Sequence, residues 1–369
     1  MRILILNWRD IKHPLAGGAE ISTHEHAKAW VKAGHRVIMF SSSFPGAKQN
    51  EVIDGVDIIR RGNHYTVHVW AFLYFLKNLR GKIDFIVDEF HFIPFFTVLY
   101  TRIKKMAFIH ETAEEIWFKN QIFPINVLGY ILEPFFIKLY KNIAFMTVSE
   151  STKRDLMRFG IHSHNIQVIH NGIKVINSQE NKEKNPTLIC LGRLAKDKGT
   201  EDAIFAFYQV QKIYKNARLW IVGREENGGY LNKLKNKVRD LSIIQKVIFY
   251  NYVSEERKFD LLQRAWILIN PSVKEGWGLT VMEASSQGTP TVAYNTSGLR
   301  DSILNNKTGL LVAGKIPGNL VGKIIVLLNN KVLYNTLSKN AVEWSKKFKW
   351  NDSAKKSLIL INNIYESRI

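Results

Sequence analysis

Short apolar runs alternate with longer segments of helical periodicity along this chain, and the alternation starts twice. In the first half RILILNW, HRVIMFSS, DFIVDE, KKMAFIH and IAFMTVS read as strands, AEISTHEHAKAWVKAG as a helix that Gly34 ends, and YTVHVWAFLYFLKNLRG as a second helix. At QENKEKNP the chain turns polar, and PTLICLGRL restarts the pattern. Beyond it ARLWIVG, KVIFYN, WILINPS, TPTVAY and TGLLV are strands. Between them lie the helical segments GTEDAIFAFYQVQKIY, GGYLNKLKNKVRDLS, ERKFDLLQRA, LTVMEASSQG and NLVGKIIVLLNN. Such a series describes a mostly parallel sheet with helices on its faces. The expected fold is therefore α/β: two Rossmann-like, doubly wound domains facing across a cleft, with the boundary near residues 177–186. Sheets of this kind bind ligands beyond the carboxyl ends of their strands.

The chain of 369 residues, 46% hydrophobic, is long enough for two cores. Its other apolar stretches, FIPFFTVLY and NVLGYILEPFFIKLY, are broken by Pro or charge before the roughly 20 residues a bilayer-spanning helix needs, so no span is expected. MRILILNW reads as a first strand and not as a leader. The single cysteine, Cys190, excludes an intramolecular disulfide and a Cys-rich zinc site, and suits a reducing compartment. A formal net charge of +20 favours an anionic partner: a nucleotide, a nucleic acid or an anionic lipid surface. Residues 1–180 carry 22 Lys and Arg against 16 Asp and Glu, and residues 181–369 carry 30 against 16, spread through helical segments. With no dense basic tract and no RNP-like aromatic signature, a specific nucleic-acid reader is not expected.

Four stretches carry candidate chemistry. WRDIKHPLAGGAE follows the first strand and sets Gly17 and Gly18 before a helix, where backbone N–H groups can hold an anion; a tight turn of small residues is the alternative, and the dinucleotide pattern G-x-G-x-x-G is absent. His110 ends the strand KKMAFI, where an α/β cleft would lie, though a histidine there is also a common structural residue. Every histidine falls within the first 170 residues, among them His24, His26, His91 and His170, without metal-ligand spacing, so no protein-held metal is expected. GRLAKDKG puts Arg193 and Lys198 on the loop into a helix, with Asp197 able to orient one of them: a clamp for a diphosphate, or a loop salt-bridge pair. EGWGLTVME follows WILINPS; Gly276 and Gly278 permit close backbone approach, and a helix beginning near Leu279 points its N-terminus at the same place. Glu275 would lie at the mouth of the cleft, and Glu283, one turn into that helix, could reach a ribose diol.

These residues resemble the retaining glycosyltransferases of family 4, relatives of the glycogen and sucrose-phosphate synthases with the GT-B architecture. The match consists of GGAE at 17–20, GHRV at 34–37, His110, TVSE at 147–150, VIHNGI at 168–173, LGRLAKDKG at 191–199, IVG at 221–223 and NPSVKEGWGLTVMEASSQGTPTVAYNTSG at 270–298, followed by TGLLV, and spans essentially the whole chain. The resemblance implies an acceptor-side domain at 1–180, a nucleotide-sugar-binding domain at 181–345 and a C-terminal helix, 346–369, that crosses back to the first domain. It implies a nucleotide-diphosphate sugar, UDP- or GDP-linked, as substrate and no cofactor. Gly17 and Gly18 would approach the donor; Arg193 and Lys198 would hold its diphosphate; Glu283 would take the ribose hydroxyls; Glu275, with Gly276, Trp277, Gly278, Leu279 and Thr280 of the same elbow, would meet the donor sugar; His110 would sit beside the reacting centre. The reaction implied moves a hexose or N-acetylhexosamine to a glycan or lipid-linked acceptor by front-face attack, as in polysaccharide biosynthesis. The two glutamates sit on one loop-helix element and do not face each other across a bond as a hydrolase pair would. Alternatives are another GT-B enzyme, such as a nucleotide-sugar epimerase or glycan phosphorylase, and a non-catalytic protein that binds anions, membrane or nucleic acid. Aromatic segments at 69–75 and 90–100, with Arg102, Lys104 and Lys105 nearby, form either a lipid-facing patch of a cytoplasmic, peripheral membrane protein or ordinary core.

Overall fold

The computed structural model describes residues 1–176, 181–226 and 228–367. The first sheet contains β1 (Arg2–Leu6), β2 (Arg36–Ser41), β3 (Asn50–Ile53), β4 (Val56–Arg60), β5 (Phe85–Phe90), β6 (Lys105–Ile109), β7 (Ala144–Thr147) and β8 (Ile166–Val168). Its order is β3-β4-β2-β1-β5-β6-β7-β8, parallel except for the β3–β4 hairpin. Leu4 pairs with Ile38 on one side and Ile86 on the other, and Ile3, Leu4, Ile5 and Leu6 are all buried, so β1 is covered on both faces and reads as an unbroken apolar run. The hairpin escapes the strand-helix pattern, but its Asp54-Gly55 turn, both residues at positive φ (51° and 82°), is the local signal for it. The helix Gly18–Lys32 ends before Gly34, whose φ of 88° turns the chain into β2.

The second sheet contains β9 (Thr187–Leu191), β10 (Arg218–Val222), β11 (Val247–Tyr250), β12 (Ile267–Asn270), β13 (Thr291–Tyr294) and β14 (Gly309–Val312), in the order β11-β10-β9-β12-β13-β14, all parallel. Strand order reverses between β9 and β12. The two sequence motifs LGRLAKDKG and NPSVKEGWG leave the carboxyl ends of these two strands, which is where a doubly wound sheet opens a crevice.

The chain divides into one unit of Met1–Glu114, Phe123–Gly172 and Lys349–Ile369, and another of Glu115–Ile122 and Ile173–Phe348. The division therefore falls at 172/173 and not in the polar run 177–186, whose residues 177–180 lie outside the described residues. The remainder of that run is tied into the second unit: Lys182 Nζ donates to Ala265 O (2.7 Å) and Thr289 Oγ1 (2.6 Å), and Glu183 pairs with Arg264. Helix Trp350–Glu366 belongs to the first unit, where the Ser357 hydroxyl meets His26 Nδ1 (2.9 Å) and accepts from Trp30 Nε1 (3.0 Å). Gly172 lies so close to this helix that a Cβ there would stand 2.1 Å from Trp350 N. Among the described residues no helix is long and apolar enough to cross a membrane.

Ser357→Ala leaves the buried Trp30 indole N–H without an acceptor, and the variant is expected to lose about 1–3 kcal/mol of stability. Thermal unfolding checks this; an unchanged melting curve contradicts the docking of the last helix.

Candidate active site

In the second unit the charged side chains beyond β9 and β12 converge on Asp197, which is 1% exposed. Its Oδ2 stands 3.7 Å from both Arg193 Nη2 and Lys198 Nζ, and its Oδ1 accepts from Asn120 Nδ2 at 3.0 Å. Burial works against the charge of Asp197, but Lys198 and Arg193 outweigh it and hold the carboxyl below its usual range. Lys198 also donates to Glu275 Oε1 (2.9 Å), which accepts from Ser272 Oγ (2.8 Å) as well, and Arg193 pairs with Glu226. Asp197 thus orients both cations, where the sequence suggested one. The loops can come this close because glycine lines the contacts: a Cβ on Gly199 (φ 66°) would lie 2.2 Å from Pro271 O, and one on Gly298 (φ 77°) 2.1 Å from Glu275 O.

The remaining residues of the elbow take different positions. Gly278, at φ 84°, caps the helix Leu279–Ser286, so its freedom is used for the turn; the close approach beside Glu275 is made by Gly298. Leu279 and Thr280, half-buried, open that helix, and Gly276 is half-buried beside Glu275. The Trp277 side chain is 2% exposed and meets the Phe348 ring edge-on at 5.1 Å, so it is an interior packing residue and leaves only its backbone for a ligand. Glu283 joins no part of the Asp197 cluster: its Oε1 accepts from Lys258 Nζ at 2.7 Å, and Lys258 also pairs with Glu255 at 2.8 Å. Burial pushes the Glu283 carboxyl up, with Lys258 offsetting only part of the effect. Among the described residues no group of three or more His, Cys, Asp and Glu side chains is placed to hold a metal ion.

In the first unit the carboxyl end of β5 carries two buried acids that point to opposite faces, as neighbours in a strand do. Asp88 accepts from Phe95 N, Thr97 N, Thr97 Oγ1 and Tyr140 Oη, and shapes the loop after β5. Glu89 accepts from Asn7 Nδ2 (2.7 Å) and Thr23 Oγ1 (2.8 Å), and lies 2.9 Å from His110 Nε2 and 3.3 Å from His91 Nε2. Burial pushes the Glu89 carboxyl up, Asn7 and Thr23 hold it in place, and its Oε1 and His110 Nε2 share one hydrogen bond that fixes the ring. Burial lowers the His110 pKa to about 4, and the ring is neutral at pH 7. Gly17 and Gly18 open the helix Gly18–Lys32, but the Gly17 N–H is already taken by Glu20 Oε2 at 2.7 Å, and Gly17 has an extended φ of −137°. The sequence reading missed Glu89, Asn7 and Thr23. A pair of acids closing the apolar strand DFIVDE was the available signal.

Residues 173–344 match the family described as Glycosyl transferases group 1, and residues 16–175 the family described as Glycosyltransferase Family 4. The chain is a glycosyltransferase. An uncharacterised glycosyltransferase of Methanocaldococcus jannaschii is 24% identical over 99% of this chain and 98% of its own length. A GDP-mannose-dependent α-(1-6)-phosphatidylinositol monomannoside mannosyltransferase of Mycobacterium tuberculosis is 27% identical over 47% of this chain and 46% of its own. Among solved structures, Anabaena HepE in complex with UDP and glucose superposes with a TM-score of 0.77 at 16% identity, covering 98% of this chain and 100% of the other. The glycosyltransferase has the GT-B fold, two Rossmann-like α/β domains, and is related to both families.

The histidine environment sets a pH dependence. The unfolded chain takes up a proton on each histidine below about pH 6.5, whereas the folded enzyme keeps His110 neutral to about 4 and His26 to about 3. Stability present above pH 6.5 is therefore lost as pH falls, by about 2 kcal/mol per histidine between 6.5 and 5. In an NMR titration of histidine-labelled enzyme, the resonance missing from His110→Asn should not move between pH 7.5 and 5.5. A midpoint near 6.5 contradicts the assigned burial.

Proposed function

We propose that this glycosyltransferase moves a hexose or N-acetylhexosamine, with retention of anomeric configuration, to a glycan or lipid-linked acceptor. Its donor is a nucleotide-diphosphate sugar, UDP- or GDP-linked, and it uses no cofactor. The observation that carries the reading is the pair of cations fixed by one buried acid at the β9/β12 switch point: Arg193 and Lys198, both 3.7 Å from Asp197. A leaving diphosphate gains charge as the glycosidic bond breaks, and preoriented cations stabilise that change without reorganising. Glu226 pairs with Arg193 and Glu275 with Lys198, which fixes the two cations further.

Further roles follow from unused valences. Glu275 Oε1 serves Lys198 and Ser272, leaving Oε2 to meet a hydroxyl of the donor sugar. Glu283 Oε1 serves Lys258, leaving Oε2 to accept from the ribose. Backbone atoms of Gly276, Gly278, Leu279 and Thr280 complete the donor contacts, and Gly17 and Gly18 are assigned to the donor as well. His110, neutral and oriented by Glu89, stands beside the reacting centre as a hydrogen-bonding group and not as a charge. The attack is on the front face, with the leaving phosphate taking the acceptor proton. A relative named as a phosphatidylinositol monomannoside mannosyltransferase supports a lipid-linked acceptor, and we propose peripheral action at the cytoplasmic face of a membrane.

Product analysis with a panel of UDP- and GDP-sugars tests the reading: a new glycoside with retained anomeric configuration is expected, and inversion, epimerised donor or sugar phosphate contradicts it. Arg193→Ala and Lys198→Ala are each expected to lower turnover by about 2–4 kcal/mol of transition-state stabilisation. Steady-state kinetics equal to the parent's dismiss the clamp. Glu283→Gln should chiefly raise the KM for donor, because a ribose contact exists before and during reaction, whereas Glu275→Gln should chiefly lower kcat. The opposite pattern means that the two glutamates exchange roles.

A further inference from the structure

Three stretches of the first unit carry almost no negative charge. Arg61–Ile83 and Phe90–His110 contain no acid, and Phe123–Ser149 contains only Glu133, which is buried and accepts from the Ala113 and Glu114 N–H groups. Ring contacts join the three: His68 stacks on Phe95 (4.5 Å), Phe72 meets Tyr100 edge-on (5.0 Å), and Phe96 meets Phe136 edge-on (5.3 Å). Their helices bury little. Val67–Tyr74 buries Val67 and Ala71, and Ile125–Leu139 buries Glu133 and Ile137. Trp70, Leu73, Leu99, Leu128 and Phe135 are between 46% and 67% exposed, far more contiguous apolar surface than a solvated face carries. The patch differs from the sequence expectation in one respect: Lys105 is buried and donates to Thr97 O and Thr101 O, and Lys104 Nζ donates to Tyr365 O and Ser367 O, so Arg102 is the exposed cation of that segment.

An open cavity of about 540 Å³ adjoins this surface. Phe75, Val98, Leu99 and Ile103 form apolar walls, and Arg80 and Arg102 line it as exposed cations. Among the described residues neither guanidinium takes part in an ion pair or hydrogen bond, and the buried hydroxyl of Tyr100, another wall residue, has no partner. Arg80 precedes β5 and Arg102 precedes β6, so the cavity sits at the amino ends of the strands, opposite to Glu89 and His110. An occupant there leaves the carboxyl-end site open.

We propose that this cavity holds the phosphate headgroup of an anionic phospholipid between Arg80 and Arg102, while the exposed apolar faces of helices Val67–Tyr74 and Ile125–Leu139 enter the bilayer interface. Free cations beside apolar walls match an amphiphile; a free inorganic anion would have no use for the walls. A second copy of this chain, itself at +20, would bring like charge to the same face. The inference deepens the membrane part of the reading above and names its binding surface. Its test needs neither donor nor acceptor, so it fails or succeeds separately from sugar transfer.

The experiment is co-sedimentation of the full-length enzyme with vesicles of phosphatidylcholine, alone or mixed with phosphatidylglycerol, at low and high salt. The parent is expected to sediment with the mixed vesicles at low salt and to be released by salt. Arg80→Ala/Arg102→Ala should partition about thirtyfold more weakly, which is about 2 kcal/mol at roughly 1 kcal/mol per basic residue. Leu73→Glu should weaken binding as well, with both variants keeping the parent's thermal unfolding. Equal binding of parent and double variant, equal binding to neutral vesicles, or no sedimentation with the mixed vesicles at low salt overturns the proposal. So does displacement of the enzyme by glycerol phosphate with Leu73→Glu binding as the parent does, which would mark a free-anion site. Self-association abolished by Leu73→Glu overturns it too, in favour of a dimer face.

Discussion

A carboxylate removed from water is costly unless cations and hydrogen-bond donors surround it, and Asp197 has both. Asn120 donates to its Oδ1, Lys198 and Arg193 stand 3.7 Å from its Oδ2 as ion-pair partners, and its carbonyl accepts from Val273 N at 2.8 Å. The acid therefore does more than balance charge. Its backbone carbonyl ties the loop after β9 to the loop after β12 at the point where strand order reverses, and its carboxylate pairs with two cations there. Lys198 extends the link to Glu275, and Gly298 lets the next loop close over Glu275. Removing either cation would leave a buried charge short of partners, so these positions are constrained by folding as well as by chemistry.

The first unit applies the same physics to an imidazole. Glu89, at the carboxyl end of a central strand, is held by Asn7 and Thr23 and in turn orients His110. In one unit a buried acid orients cations suited to a diphosphate; in the other it orients a neutral ring suited to hydrogen bonding. The amino-end rim of the first sheet carries a different chemistry: Arg80 and Arg102 stand exposed beside apolar walls, at the end of the sheet opposite to Glu89 and His110.

The alternation of apolar strands and periodic helices was legible because parallel strands buried on both faces admit little else, and Arg193, Lys198 and Glu275 were legible because they lie on loops leaving such strands. Contacts between distant positions were not. Nothing local announces that Glu89 meets His110, that Lys258 meets Glu283 or that Arg193 meets Glu226. The packing of Trp277 was hidden for a related reason: the residue its ring meets, Phe348, lies far along the chain. The contacts of the polar run were not legible either: charge suggests a linker, while Lys182 bonds Ala265 O and Glu183 pairs with Arg264 at the end of the helix before β12.

The most direct measurement is calorimetric titration of UDP and GDP into the intact enzyme and into Asp197→Asn. Removing a negative charge near an anion site should, by Coulomb's law alone, tighten binding. If Asp197 acts by holding Arg193 and Lys198 in place, the parent binds at least one of the two nucleotides and the variant binds it more weakly, by about tenfold or more, because preorganisation is lost. Tighter or unchanged binding in a folded variant, or no binding of either nucleotide to the parent, would contradict the account.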